Sequence, residues 1–181
     1  MFTIHKCKRE EYIKAWNYMY SHHKSEINSS ELYNDVNPSL NAKPLGTEID
    51  NFCVVAYDTE KEAEGFDYGE PVGVFSFVVT RRSDISKPRI IGKQFLVLPS
   101  YCGKGIGRAL YAVNEKQIFD NGYNSYYIGC SKCSSGMLKK YFKQIPYSED
   151  VEGDMFKYDI SLMRSDFLEQ YREFTKDFNI V

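Results

Sequence analysis

The chain lacks several features that mark particular classes of protein. It has a single Trp and a formal net charge of −2 at pH 7, so no basic excess attracts nucleic acid or an anionic membrane surface. No apolar run approaches the ~20 residues of a membrane-spanning helix, and residues 1–5 lack the long apolar segment of a signal peptide. We therefore expect a cytoplasmic protein with no membrane partner, and we do not expect nucleic acid as a partner.

Disulfide and metal frameworks are also poorly supported. The cysteines are few, odd in number and scattered, which is not typical of a disulfide scaffold: Cys7, Cys53, Cys102, Cys130 and Cys133. Cys130 and Cys133 form a CxxC pair, a redox pair or half of a zinc site. A zinc site would need two more ligands, such as His22 and His23, and the spacing does not support it. We predict reduced thiols and no metal, and interpret both histidines as solvated loop residues rather than catalytic bases.

What the chain does contain is enough apolar surface for a folded core. Hydrophobic residues make up 43% of its 181 residues and aromatic residues 15%, which is typical of a globular protein. The length suits one domain over residues 1–181.

Hydrophobic periodicity predicts a mixed α/β fold. Strands are predicted at residues 2–7, 52–57, 71–82, 89–98, 123–129 and 155–163, and helices at 10–20, from 109 to about 119, 137–144 and 165–178. Residues 21–50 are polar and predict a loop with a short helix near 30–34, and residues 58–69 an acidic hairpin loop. Because a helix joins the strands at 89–98 and 123–129, these two strands should run parallel.

A glycine loop lies between the central strand and its helix. The apolar run Phe95-Leu96-Val97-Leu98 ends at Pro99, and residues 102–107 read Cys-Gly-Lys-Gly-Ile-Gly. Alternate glycines let successive amides turn the same way, and the helix adds its unpaired amides and positive dipole end. Lys104 and Arg108 supply charge. The order of strand, proline, glycines, basic residues and helix predicts a phosphate-binding loop rather than a bare turn.

Two familiar phosphate loops do not fit. The nucleotide P-loop follows its Gly-Lys pair with Ser or Thr, whereas Lys104 is followed by Gly105. The dinucleotide fingerprint needs a glycine three residues after Gly107, where Leu110 stands.

Residues 102–107 instead resemble the central motif of the GNAT superfamily of N-acetyltransferases, Gln/Arg-x-x-Gly-x-Gly/Ala. The motif's two glycine positions are matched by Gly105 and Gly107. The flanking residues Val97-Leu98-Pro99 and Arg108-Ala109-Leu110 extend the match. Cys102 departs from it, since the family usually has Gln or Arg there. The resemblance covers roughly residues 50–162. It implies an α/β (α+β) GNAT-like fold, with a twisted, mostly antiparallel mixed sheet flanked by helices and with strands 4 and 5 splayed apart.

In that family the loop holds acetyl-CoA, which the resemblance implies as cosubstrate. The pyrophosphate would lie on amides of residues 103–108, and the pantetheine arm would pair with backbone groups of the central strand between strands 4 and 5. The candidate cofactor-binding residues are Leu96, Val97, Leu98, Cys102, Gly103, Lys104, Gly105, Ile106, Gly107, Arg108, Ser135 and Phe142.

A second family landmark is Asn-x-x-Ala-x-x-Leu-Tyr followed by Gly-Phe, whose Tyr protonates the leaving CoA thiolate. Aligning Pro146-Tyr147 with the Gly-Phe pair puts Ser135 on the Asn position and Phe142 on the acid position. Phe cannot donate a proton. Tyr141 is adjacent, and it is the candidate catalytic acid if the register shifts by one residue.

The general base is not specified by the sequence. An attacking amine must lose a proton, but Ile91, Lys93 and Phe95 alternate along the central strand without a carboxylate. Glu115 and Asp84 are candidate bases only because they lie near the central strand and helix in the sequence. Polarisation of the thioester by a strand amide needs no particular side chain.

The resemblance implies transfer of an acetyl group from acetyl-CoA to a primary amine by direct attack in a ternary complex. The acceptor, a small molecule or a protein, is not assigned; residues 21–50 would cover it, and residues 164–181 would form a C-terminal helix. One alternative is a GNAT-fold binding or regulatory module, viral in origin for example, that has lost catalysis. Another is a transferase that modifies a nucleic acid, against which the charge argues. A homodimer is left open.

Overall fold

The computed structural model describes residues 1–30, 47–81, 87–129, 145–146, 155–159 and 164–181. The described elements are β1 (Phe2–Cys7), α1 (Arg9–His22), α2 (Lys24–Ser29), β2 (Thr47–Asp58), β3 (Glu70–Arg81), β4 (Arg89–Val97), a 3₁₀ turn (Pro99–Tyr101), α3 (Ile106–Asp120), β5 (Ser125–Gly129), β6 (Ile145–Pro146), β7 (Met155–Asp159), α4 (Arg164–Thr175) and β8 (Asn179–Ile180).

The described strands form one sheet in the order β6-β7-β5-β4-β3-β2-β1-β8. Neighbours are antiparallel except for two parallel pairs, β4 with β5 and β1 with β8. Within the described residues, pairing between β4 and β5 is confined to Ile91 and Tyr127, so the two strands diverge beyond this pair. The mixed, mostly antiparallel sheet with parallel fourth and fifth strands is confirmed.

Helices cover both faces of the sheet, and the alternation of side chains along β3 shows which face each one covers. Gly73 and Phe75 face α3, since a Cβ on Gly73 would lie 3.0 Å from Leu110 and the Phe75 ring stacks on Tyr111 at 5.2 Å between centroids. Ser76 points to the opposite face, where α1 buries Tyr12, Ala15, Trp16 and Met19. The apolar core therefore has two layers, one under each helix.

Several boundaries differ from the sequence predictions. The sequence predicted only a loop at Lys24–Ser29, where the structure has α2, and β2 begins at Thr47 rather than at Phe52. The short helix predicted near residues 30–34 lies outside the described residues except for Ser30. The prediction of a helix over 164–181 was wrong at its end, because α4 stops at Thr175 and β8 follows it. Val181 exchanges backbone hydrogen bonds with Ile4 and Lys6, each 2.9 Å. The helix predicted at 137–144 lies outside the described residues.

None of the described helices combines the length and apolar character required to cross a bilayer.

Candidate functional site

The loop between β4 and α3 forms a backbone cradle. The 3₁₀ turn closes through bonds from the Tyr101 amide to Leu98 O (2.8 Å) and from the Cys102 amide to Pro99 O (3.1 Å). Gly103 and Gly105 then take φ values of +81° and +82°, the left-handed region that favours glycine. Gly105 is the N-cap of α3, without a side-chain cap, so the first-turn amides of Ile106 and Gly107 have no acceptor within the helix. Such a helix end binds anions.

The cradle opens outward. A Cβ on Gly103 would have no heavy atom of the described residues within 4 Å, whereas one on Gly107 would lie 3.1 Å from Phe95 Cζ. Gly103 therefore borders open space, and Gly107 lets α3 approach β4 closely. The open surroundings of Gly103 suit a phosphate group that must reach the backbone.

The two predicted cations are held against aromatic rings. Lys104 Nζ lies 4.5 Å from the Tyr101 ring centroid and 5.7 Å from that of Phe2, and Arg108 Cζ lies 5.3 Å from that of Phe174. Positive charge is thereby kept beside the loop. Cys102 is exposed, with its Sγ 3.7 Å from Leu98 O.

At the end of β4, the backbone N–H and C=O groups of successive residues face β3 and β5 in turn. The Leu98 amide donates to Val72 O at 2.9 Å, so Leu98 faces β3. Because peptide directions alternate along a strand, Leu96 faces β3 as well and Val97 faces the β5 side. Of the three strand residues in the sequence prediction, Val97 is the one whose peptide groups point towards the gap.

A β-bulge interrupts β4 where it leaves β5. Leu96 pairs with Val74 and Lys93 with Ser76, so Gln94 and Phe95 together stand opposite the single residue between those partners. Gln94 has φ +40°, a strained value for a residue with a Cβ. Sequence reasoning missed this feature, since only Gly, Asn or Asp signals such a conformation.

A polar network, buried or half-buried except for Lys61, supports the loop from the neighbouring strand ends. The Tyr101 hydroxyl donates to Asp58 Oδ2 at 2.9 Å and lies 3.4 Å from Glu70 Oε2. Lys61 Nζ is 3.3 Å from the same Glu70 oxygen. Burial raises the pKa of Tyr101, so its hydroxyl stays protonated as a donor. The network fixes the residue that precedes the cradle.

The prediction of two solvated loop histidines holds only in part: His22 is exposed but belongs to α1, and His23 lies in the bend between α1 and α2 but is not fully solvated. His22 is the last residue of α1, and its ring stacks on Tyr18 at 4.0 Å between centroids. His23 is half-buried, with Nε2 3.2 Å from Glu70 Oε1 and Nδ1 3.4 Å from Glu26 Oε2. Within the described part of the chain, no cluster of three or more His, Cys, Asp or Glu could hold a metal.

Glu115 is enclosed between α3 and β5. Its side chain accepts a hydrogen bond from Tyr126 at 2.7 Å, and Tyr126 accepts one from Tyr111 at 3.0 Å. The residue is 4% exposed, and burial raises the pKa of its carboxyl to about 7. The surrounding core therefore shields this carboxyl from an attacking amine.

Several predicted residues lie outside the described part of the chain. They are Tyr141, Ser135, Phe142, Asp84, Cys130 and Cys133.

The site can be set beside known proteins. The sequence model described as the acetyltransferase (GNAT) family matches residues 11–143. No functionally curated protein matches the sequence significantly.

Solved structures share the fold at low identity. A GNAT-family acetyltransferase from Staphylococcus aureus Mu50 aligns with a TM-score of 0.53 and 13% identity over 88% of this chain and 99% of that one. AtaTR bound with acetyl-CoA aligns with a TM-score of 0.53 and 9% identity over 92% of this chain and 98% of that one. The KacTA–DNA complex aligns with a TM-score of 0.53 and 11% identity over 93% of this chain and 99% of that one. Identities this low show a common fold and no more.

Proposed function

Because the chain belongs to the GNAT family of acetyltransferases, we propose that it moves the acetyl group of acetyl-CoA to a primary amine by direct attack in a ternary complex. The observation that carries this proposal is the glycine cradle at the start of α3, which opens to solvent beside the parting strands β4 and β5. A structural neighbour with the same fold was solved with acetyl-CoA bound.

In this proposal the cosubstrate lies along the end of β4. Amides from Gly103 to Arg108 would hold the pyrophosphate, with Lys104 and Arg108 nearby as cations. The pantetheine arm would follow the gap, where the Val97 peptide groups face the β5 side. Only the short turn Pro99–Tyr101 separates the end of β4 from the cradle, so one extended ligand would reach both.

The chemistry requires one bond to form and one to break. The amine nitrogen attacks the thioester carbonyl carbon, and as the C–N bond forms the C–S bond breaks, releasing CoA as a thiolate. The amine nitrogen loses a proton and the thiolate gains one. A strand amide donating to the carbonyl oxygen would stabilise the negative charge that develops there. Tyr141 remains our candidate for protonating the thiolate.

The acceptor side is proposed to involve residues 21–50. Within this segment, Glu26 of α2 accepts a hydrogen bond from Ser100 in the turn before the cradle. His23, which precedes α2, contacts Glu70 at the start of β3. A small amine and a protein amine both fit this proposal, and a cytoplasmic location accords with either.

Calorimetric titration of acetyl-CoA and CoA tests the site, with Gly103→Trp as the blocking variant. Gly122→Trp is a matched control, since Gly122 has φ +83° and equally open surroundings among the described residues but follows the other end of α3. We expect binding by the wild type, loss of at least about tenfold in affinity (~1.4 kcal/mol) for Gly103→Trp, and wild-type affinity for the control. Absence of binding by the wild type would overturn the proposal.

A further inference from the structure

The bulge in β4 disrupts the ladder of hydrogen bonds inside the sheet. Two residues, Gln94 and Phe95, stand opposite Phe75. An extra residue of this kind leaves peptide groups without a ladder partner, and buried peptide groups need one. Something other than the neighbouring strand must therefore satisfy them.

Three buried side chains donate to carbonyls at the bulge. Ser76 Oγ donates to Lys93 O at 3.2 Å, and the Tyr12 hydroxyl donates to Gln94 O at 3.0 Å. From the opposite face, Asn114 Nδ2 donates to Phe75 O at 3.3 Å. The donors come from β3, α1 and α3, so the bulge is held from both sides of the sheet.

Tyr12 acts on the strained residue itself. Its hydroxyl also lies 3.4 Å from Gln94 Oε1, so one group contacts both the backbone and the side chain of Gln94, whose φ is +40°. Tyr12 is 3% exposed. Burial raises its pKa well above the usual range, which keeps the hydroxyl protonated as a donor.

We infer that Tyr12 is a positioning residue for β4, the strand along which the thioester of acetyl-CoA would lie. By holding the Gln94 carbonyl, it fixes the bulge and so the direction in which the next peptide groups, up to Val97, face the β4–β5 gap. The inference rests on the proposed function, because those peptide groups matter to a thioester only if acetyl-CoA lies there.

The affinity ratio between CoA and acetyl-CoA provides the test, because the two ligands differ only in the acetyl group that the strand would contact. It requires no acceptor. We expect the wild type to prefer acetyl-CoA, and Tyr12→Phe, which keeps the ring and removes the hydroxyl, to reduce that preference by about three- to tenfold with CoA affinity nearly unchanged.

A second substitution separates positioning from general stability. Glycine adopts φ +40° without strain, so Gln94→Gly should hold the bulge without the tyrosine bond and restore the preference in the Tyr12→Phe/Gln94→Gly double variant. Tyr57→Phe is the matched control: Tyr57 is also buried, and its hydroxyl donates to Glu11, away from the bulge. We expect this control to lose thermal stability and keep the wild-type preference.

The outcomes are distinguishable. Wild type that binds neither ligand would defeat the proposed function. Wild type that binds both ligands equally, or Tyr12→Phe with an unchanged preference, would overturn the positioning role while leaving the cofactor site intact. A preference lost equally in Tyr57→Phe, or not restored by Gln94→Gly, would show that Tyr12 serves the core alone.

Discussion

The carboxylate of Glu26 on α2 accepts a hydrogen bond from the backbone amide of Ser100, in the turn that leads to the glycine cradle. This contact ties the polar segment after α1 to the loop that would hold acetyl-CoA. It joins two regions that the family resemblance assigns to different substrates.

Glu26→Ala should weaken acetyl-CoA binding about fivefold, because the turn loses its anchor and the Ser100 amide loses a charged acceptor. Glu26→Gln retains an acceptor oxygen and should lose less. Calorimetry measures both. Lys24→Ala, at an exposed position of the same short helix, is the control, and an equal loss there would assign the effect to α2 stability.

Tyr101→Phe should lower the free energy of unfolding by about 1–2 kcal/mol, since the Asp58 carboxylate loses a buried donor while the ring beneath Lys104 remains. Urea denaturation monitored by circular dichroism measures the change. Adding Asp58→Asn should recover part of the loss, because the unpaired charge is removed. Additive losses in the double variant would contradict a direct interaction.

Glu115 should make stability depend on pH. Its pKa rises from 4.5 to about 7 in the folded protein, so the folded state binds the proton more tightly than the unfolded state. The contribution of the neutral carboxyl is fully present below pH 4.5 and is lost as pH rises through about 7, a change on the order of 3 kcal/mol.

Glu115→Gln should therefore flatten the pH profile of the free energy of unfolding between pH 5 and 8. The stability of the variant should rise relative to that of the wild type towards pH 8. Denaturation at a series of pH values provides the measurement. Glu62→Gln, at an exposed position, should leave the profile unchanged. A wild-type profile already flat across this interval would show that the buried carboxyl is not the cause.

Lys104→Gln should reduce acetyl-CoA affinity about threefold at low ionic strength and less in high salt, because an exposed charge near a phosphate is screened. Titrations at two salt concentrations test this. Lys24→Gln is the control for a general charge effect. Equal losses at both concentrations would indicate that Lys104 acts through its packing on Tyr101 rather than through its charge.

Local patterns were sufficient to predict the elements that present the site. The apolar run ending at Pro99 and the alternate glycines predicted a strand, a loop and a helix, and the structure has β4, the cradle and α3 in that order. Those features depend on residues near one another in sequence. Cβ sterics and helix-end geometry require little of the rest of the fold.

The contacts that hold the site depend on assembly of the whole domain and could not be predicted. Glu26 and Ser100 are 74 positions apart, and Tyr12 and Gln94 are 82 apart. The sequence analysis placed Tyr12 in the helix predicted at residues 10–20 and gave it no role at the sheet. The residue type of Gln94 gives no sign of its backbone conformation, which is set by its neighbours. The strand β8 is too short to be detected from hydrophobic periodicity.

The bulge in β4 also bears on the order of folding. Its carbonyls take donors from α1 and α3, which flank the sheet on opposite sides, so a β3–β4 hairpin alone keeps only the Ser76–Lys93 bond of the three. Contacts of such large sequence separation form only after the chain has closed the intervening loop. We expect β4 to reach its final geometry among the last steps of folding, after both helices have docked, and a fragment without α1 to hold the bulge less firmly because it lacks the Tyr12 bond to Gln94.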